Sequence, residues 1–125
     1  LNKNLPADVM VFDEIDTGIS GNVAFKAGRK MAGISALSQV LCITHLPQVA
    51  AFADAGVWVT KRVVEGLTVA RAEQVGKDGL EAKIATLMSG ETTESPTVLA
   101  AARELVREAK ETQSASRNGP SGRSS

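Results

Sequence analysis

The sequence predicts an α/β domain built on parallel strands, and three segments support this fold class. Residues 7–13 form an almost continuous apolar run, which is typical of a buried strand. Residues 22–34 carry apolar side chains at helical spacing, and residues 39–44 form a second short apolar run. Because this order is β-α-β, we expect parallel strands joined by a right-handed crossover.

The remaining segments predict one more helix, a hairpin and two final helices. Residues 46–55 are expected to form a helix with Pro47 in its first turn, where proline is tolerated. Two β-rich segments, residues 57–63 and 67–72, flank a short turn and predict an antiparallel hairpin at the edge of the sheet. Helices are predicted at residues 80–88 and from Ser95 and Pro96 to about Lys110.

Composition limits the domain organisation and the class of function. The 125 residues suit one modest domain, at residues 1–111, followed by a polar tail at 112–125 that we expect to be disordered. Basic and acidic residues each number 14, so the total charge gives no argument for a nucleic-acid partner. No apolar stretch reaches membrane-spanning length and no signal-peptide pattern is present, so we expect a cytoplasmic location and no membrane partner.

Two adjacent carboxylates, Asp13 and Glu14, follow the first predicted strand directly. Ligands of open α/β sheets bind beyond the carboxyl ends of the strands, so this pair lies where chemistry is expected. Asp13 suits a hydrated Mg²⁺, which prefers one or two carboxylates together with waters and phosphate oxygens. Glu14 suits the orientation or deprotonation of an attacking water. The alternative interpretation is an exposed acidic turn after a strand.

His45 is the only histidine of the chain and follows the second predicted strand. A single histidine is more often a structural residue than a functional one. Its position favours function, because parallel neighbouring strands would bring it to the same edge as Asp13 and Glu14. Cys42 is most simply a small buried apolar residue, since alternation along a strand points residues 42 and 45 to different faces.

Two other phosphate or metal motifs fail on their residue types. A calcium loop starting at Asp13 would have Ile15 and Ala24 at ligand positions, and neither can bind calcium. A phosphate-binding loop of the form G-x-x-x-x-G-K-[ST] does not occur in the 125 residues. The chain begins with Leu1 in a loop-like segment, so we expect a fragment whose phosphate-binding loop lies upstream.

A resemblance to a known family rests on two long phrases. They are VFDEIDTGISG at residues 11–21 and QVLCITHLPQVAA at residues 39–51. Both resemble the carboxyl-terminal head segment of the RecN family of bacterial DNA repair proteins, which are SMC-like ATPases. The hairpin, the segment at residues 83–90 and the last helix are similar to the ending of that family, and the resemblance covers about residues 8–110.

The resemblance implies part of a P-loop NTPase head of the ABC type, with ATP and Mg²⁺ as cofactors of the full-length protein. By matching position, Asp13 would bind Mg²⁺ through water, Glu14 would be the catalytic base, and His45 would contact the γ-phosphate. Asp16 would belong to the D-loop at a dimer interface. A second segment, LMSGE at residues 87–91, is similar to the ABC signature but stands after the histidine, so we assign it no signature role.

The family also implies a biological role. Two heads of a homodimer would sandwich ATP. The full-length protein would act on DNA in double-strand break repair and recombination, and it would then be associated with the nucleoid. The fragment alone would be inactive. Two alternatives stay open, namely a head segment of another ABC or SMC-type ATPase and a non-enzymatic α/β interaction module. The sequence preceding Leu1 would distinguish them.

Overall fold

The α/β class predicted for the chain is confirmed by a computed structural model, which describes residues 9–13, 18–91 and 95–118. The elements in chain order are β1 (Val9–Asp13), α1 (Gly21–Ile34), β2 (Gln39–Ile43), α2 (Pro47–Ala50), β3 (Gly56–Val64), β4 (Leu67–Val75), α3 (Lys77–Ser89) and α4 (Pro96–Asn118).

Strands β1 and β2 pair in parallel, as the β-α-β pattern predicts. The register runs from Val9 opposite Gln39 to Asp13 opposite Ile43. One face of this small sheet packs on a cluster around the buried residues Ala24, Met31 and Val49; its strand members are Phe12, Val40 and Cys42. The other face is exposed and apolar, and its members are Val9, Val11, Leu41 and Ile43.

Helix α1 provides the crossover between the two strands. It starts where Ser20 caps it: the Val23 N–H donates to Ser20 Oγ at 3.3 Å, and the Ala24 N–H donates to the Ser20 carbonyl oxygen at 2.9 Å. The N-terminal cap of α1 is therefore Ser20.

Helix α2 is shorter than the predicted helix at residues 46–55, because its backbone hydrogen bonds change after one turn from the α-helical pattern to the tighter 3₁₀ pattern. The Phe52 and Ala53 N–H groups donate to carbonyl oxygens three residues back, at Val49 and Ala50. This turn directs Phe52 into the core, where its ring lies 4.9 Å from that of Phe25. The burial of Phe52 therefore ends the helix before residue 55.

The hairpin of β3 and β4 forms as predicted, but its predicted place at the edge of the first sheet is wrong. Within the described residues, β3 and β4 pair only with each other, around a two-residue turn whose Glu65 and Gly66 have φ angles of 50° and 79°. The base of the hairpin packs on α3 instead. Lys83 of α3 lies 5.0 Å from the centre of the Trp58 ring and 3.4 Å from the Glu73 carboxylate.

Helices α3 and α4 complete the main core. Helix α3 ends at Gly90, which has a φ of 84° and donates its N–H to the Thr86 carbonyl oxygen at 2.8 Å. The main core cluster consists of Ala51, Phe52, Val75, Leu80, Ile84, Ala85, Ala102, Val106 and Ala109. Across its edge, Arg103 of α4 lies 3.3 Å from the Glu81 carboxylate.

Helix α4 is longer than predicted. It continues beyond Lys110 to Asn118, so the predicted disordered tail at residues 112–125 is wrong for residues 112–118, while residues 119–125 lie outside the described part. Ion pairs of Arg107 with Glu104 and Glu111 bridge successive turns. Thr112 and Gln113 are half-buried, which extends the packed length of the helix past the predicted end.

Packing of α1 on α2 depends on the absence of a side chain at Gly28. A Cβ atom there would lie 2.6 Å from Phe52 Cδ2, whereas a Cβ at Gly33 of the same helix would meet nothing within 4 Å. We expect Gly28→Ala to lower the free energy of unfolding by about 1–3 kcal/mol through overpacking. Gly33→Ala should raise it by about 0.5–1 kcal/mol, because alanine is the better helix former.

Urea denaturation followed by Trp58 fluorescence measures both variants against the unchanged chain. Equal effects of the two substitutions would contradict a close approach at Gly28.

Candidate functional site

The carboxyl ends of β1 and β2 lie side by side, and this places two of the predicted site residues at one sheet edge. Asp13 is the last residue of β1 and pairs in register with Ile43, the last residue of β2. His45 follows Ile43 by two residues, and both Asp13 and His45 are exposed. The topology therefore brings a carboxylate and an imidazole to the same solvent-facing edge.

Glu14 and Asp16 lie outside the described residues. Their predicted roles, catalytic base for Glu14 and D-loop residue for Asp16, stay predictions. Both follow Asp13 within three positions of the chain.

Thr44 shapes the turn that carries His45. Its Oγ1 accepts a hydrogen bond of 3.0 Å from the Leu46 N–H, and Pro47 then opens α2 at a position that needs no N–H donor. Thr44 was not predicted as a positioning group. The signal was present, since a threonine two residues before the N-terminal cap of a proline-started helix is a common turn former.

Cys42 is part of the inner packing and not of the edge. It lies on the face of β2 that packs on the Ala24 cluster, and burial raises the pKa of its thiol above the ordinary value. A raised pKa keeps the thiol protonated near neutral pH and lowers its reactivity. The structure therefore supports the interpretation of Cys42 as a small apolar residue.

Asp13 has the chemistry that suits Mg²⁺, though it is not accompanied by a ligand cluster. In the described part of the chain, no group of three or more histidine, cysteine, aspartate or glutamate side chains is arranged to hold a metal. Mg²⁺ needs no such cage, because it is usually held by one or two carboxylates and completes its shell with water and phosphate oxygens. An exposed carboxylate at a strand end is compatible with that mode of binding.

Open clefts of the described part lie away from this edge. One lies along α3 and α4, and another at the start of α1, between Ser20, Gln48 and Glu108. Neither is lined by Asp13 or His45.

The LMSGE segment at residues 87–91 serves as the end of α3. Gly90 takes the left-handed conformation that terminates the helix, and the Ser89 hydroxyl lies 3.0 and 2.6 Å from the Ala85 and Glu91 carbonyl oxygens, to either of which it can donate its one hydrogen. A helix-ending role accounts for the Ser-Gly pair without any contact to a nucleotide.

Removal of the Thr44 hydroxyl tests the turn before His45. We expect Thr44→Val to lower the free energy of unfolding by about 1 kcal/mol, because the Leu46 N–H loses its acceptor in a half-buried position. Thr44→Ser keeps the oxygen and serves as the matched control, with a smaller loss. The measurement is urea denaturation; a valine variant as stable as the serine variant would contradict a role of this hydrogen bond.

Similar proteins are known from several bacteria, although no protein-family model matches the chain. The chain is 44% identical over 81 residues to the DNA repair protein RecN of Bacillus subtilis, an alignment that covers 65% of the chain. It is 38% identical to RecN of Mycobacterium leprae over 105 residues (84% of the chain) and 38% identical to RecN of Rickettsia conorii over 97 residues (78% of the chain).

These relatives are much longer than the chain, which spans 14%, 17% and 18% of their respective lengths. Among the described residues, no helix is both long and apolar enough to cross a membrane. The alignments with RecN proteins of diverse bacteria are consistent with a carboxyl-terminal segment, as the two motif phrases predict. The chain therefore belongs, as a segment, to the RecN family of DNA repair proteins.

Proposed function

We propose that this segment is the carboxyl-terminal part of an ABC-type ATPase head, and that it supplies the Walker B strand, the D-loop and the H-loop for ATP hydrolysis. The observation that carries the proposal is the register that pairs Asp13 with Ile43. This register brings Asp13 and His45 to one edge, with Glu14 one residue beyond Asp13 in the chain. A P-loop fold of the complete head is part of the proposal.

The proposed roles follow from the chemistry of each side chain. Asp13 would hold Mg²⁺ through water, and the bound ion would supply charge neutralisation of the phosphates. Glu14 is the base that orients and deprotonates the attacking water. His45 donates a hydrogen bond to the γ-phosphate from the neighbouring strand. Asp16 contributes to the contact between two heads. Because phosphoryl transfer depends mainly on positioning and electrostatics, this division of labour needs no covalent intermediate.

The exposed face of the β1–β2 sheet supports the view that other segments complete the head. Parallel sheets are usually covered on both faces, yet Val11 and Ile43 on the outer face are 62% and 57% exposed. The chain also lacks a phosphate-binding loop and spans 18% or less of the length of the relatives described above. We infer that the nucleotide-binding half comes from another part of the full-length protein and that this fragment alone is inactive.

At the level of the whole protein, we propose a cytoplasmic, nucleoid-associated homodimer whose heads sandwich ATP during DNA double-strand break repair and recombination. The names of the relatives support DNA repair over the alternative of another ABC or SMC-type head.

Replacement of Glu14 in the full-length protein tests the proposed base. We expect Glu14→Gln to lower steady-state ATP hydrolysis by about 100-fold or more, because glutamine cannot accept the proton of the attacking water. ATP binding, measured with a fluorescent analogue, should persist. Glu91→Gln, at the end of α3, is the matched control and should leave turnover unchanged. An unaltered hydrolysis rate in the Glu14 variant would overturn the assignment.

A second test concerns the fragment by itself. We expect the isolated 125-residue chain to release no phosphate from ATP above background in the presence of Mg²⁺, because it has no phosphate-binding loop. The full-length protein, assayed under the same conditions, provides the positive control. Magnesium-dependent turnover by the fragment would show that the account of the missing half is wrong.

A further inference from the structure

Helix α1 presents a solvent-facing surface whose charge is entirely positive. Lys26, Arg29 and Lys30 are all exposed and lie at positions i, i+3 and i+4, so they share one side of the helix. The opposite side carries the buried residues Ala24 and Met31. The helix contains no acidic residue. We refer to Lys26, Arg29 and Lys30 as the basic face of α1.

The charges of the basic face are not compensated. Among the described residues, none of its three side chains forms an ion pair. By contrast, Lys83, Arg103 and Arg107 each contact a glutamate. Like charges three and four positions apart destabilise a helix, so this arrangement does not serve the stability of α1.

The geometry and composition of this face fit a phosphate backbone. Lys26 and Lys30 are separated by a rise of about 6 Å along the helix axis. A DNA duplex carries one negative charge per about 1.7 Å of its axis, so three cations on one side of a helix can meet a dense row of phosphates. The same side of the helix also carries Asn22 and Gly33, both exposed, and Val23, three positions before Lys26, is 50% exposed.

We propose that the basic face of α1 binds the phosphate backbone of duplex DNA without reading its sequence. The proposal rests on the DNA repair function proposed above and adds a contact surface to it. Contacts of this kind fix a protein on DNA and release counterions, so they make affinity strongly dependent on salt.

The hairpin provides a matched control set. Lys61, Arg62 and Arg71 are also exposed and form no ion pair within the described residues. Lys61 lies opposite Ala70, whereas Arg62 lies opposite Val69 and Arg71 opposite Thr60. Because side chains alternate along a strand, Lys61 and Arg62 point to opposite faces of the hairpin. Arg62 and Arg71 share the other face, so the control set removes the same charge from two surfaces and not from one.

The test measures binding of the full-length protein to a fluorescein-labelled duplex by anisotropy across a series of salt concentrations. We expect the triple variant Lys26→Gln, Arg29→Gln, Lys30→Gln to bind about 10-fold or more weakly near physiological salt, and to reduce the slope of log affinity against log salt by about 2–3. The triple variant Lys61→Gln, Arg62→Gln, Arg71→Gln should stay within about 2-fold of the unchanged protein.

A charge-preserving variant controls for a loss of binding that is caused by misfolding. Lys26→Arg with Lys30→Arg should retain the affinity and the salt slope, because phosphate contacts tolerate either cation. Unchanged affinity in the glutamine variant of α1 would overturn the proposal, and so would an equal loss in both glutamine variants. ATP hydrolysis by the unchanged protein is measured in parallel. If ATP is hydrolysed but the α1 variant binds normally, this inference alone fails; absence of hydrolysis counts against the proposed function instead.

Discussion

The parallel pairing of β1 with β2 is the constraint on which the rest of the structure depends. Two adjacent parallel strands cannot be joined by a tight turn, so the chain must return across the sheet through a crossover, here α1. The crossover brings both strand ends to the same edge, and that edge receives Asp13 and His45. The placement of the candidate site therefore follows from strand direction, before any contact between its side chains is considered.

The position of α1 over the sheet is in turn fixed by helix packing. Gly28 allows α1 to approach the Phe52 ring, and Phe52 is also a member of the main core formed with α3 and α4. The inner face of the sheet packs on Ala24, Met31 and Val49, which come from α1 and α2. The Phe52 side chain, together with Phe25 of α1, thus joins the sheet side of the fold to its helical layer. The edge that holds Asp13 and His45 is supported by residues far along the chain.

Local patterns in the sequence predicted most elements, and the errors occurred where tertiary packing decided the outcome. Apolar runs and helical spacing identified β1, α1 and β2, and the turn at Glu65 and Gly66 identified the hairpin. The length of α2 was wrong because the burial of Phe52 tightens the chain into a turn, which periodicity does not show. The place of the hairpin was wrong because Trp58 packs on Lys83 of α3, a contact between segments that are distant in sequence.

The candidate site, like the fold, was predicted only in part from the sequence. Strand ends and chain order were sufficient to place Asp13 and His45 at one edge, since topology alone brings them there. The hydrogen bond from the Leu46 N–H to the Thr44 hydroxyl was not predicted. The candidate site residues were chosen among ionisable side chains, whereas this hydroxyl only orders a turn. The extension of α4 beyond Lys110 was missed because polar residues at 112–118 are typical of a tail, whereas the helix continues to Asn118 and Thr112 and Gln113 are half-buried.

The net charge of the whole chain does not predict the charge of an individual surface. Acidic and basic residues balance over the 125 residues, and this balance gave no reason to expect an anionic partner. The balance is uneven in space: Lys83 of α3 and Arg103 and Arg107 of α4 contact glutamates, whereas α1 has three cations and no acid. Uncompensated charges are available for a partner. The neutral total is therefore compatible with a binding surface, because the acids that balance it lie on other parts of the chain than α1.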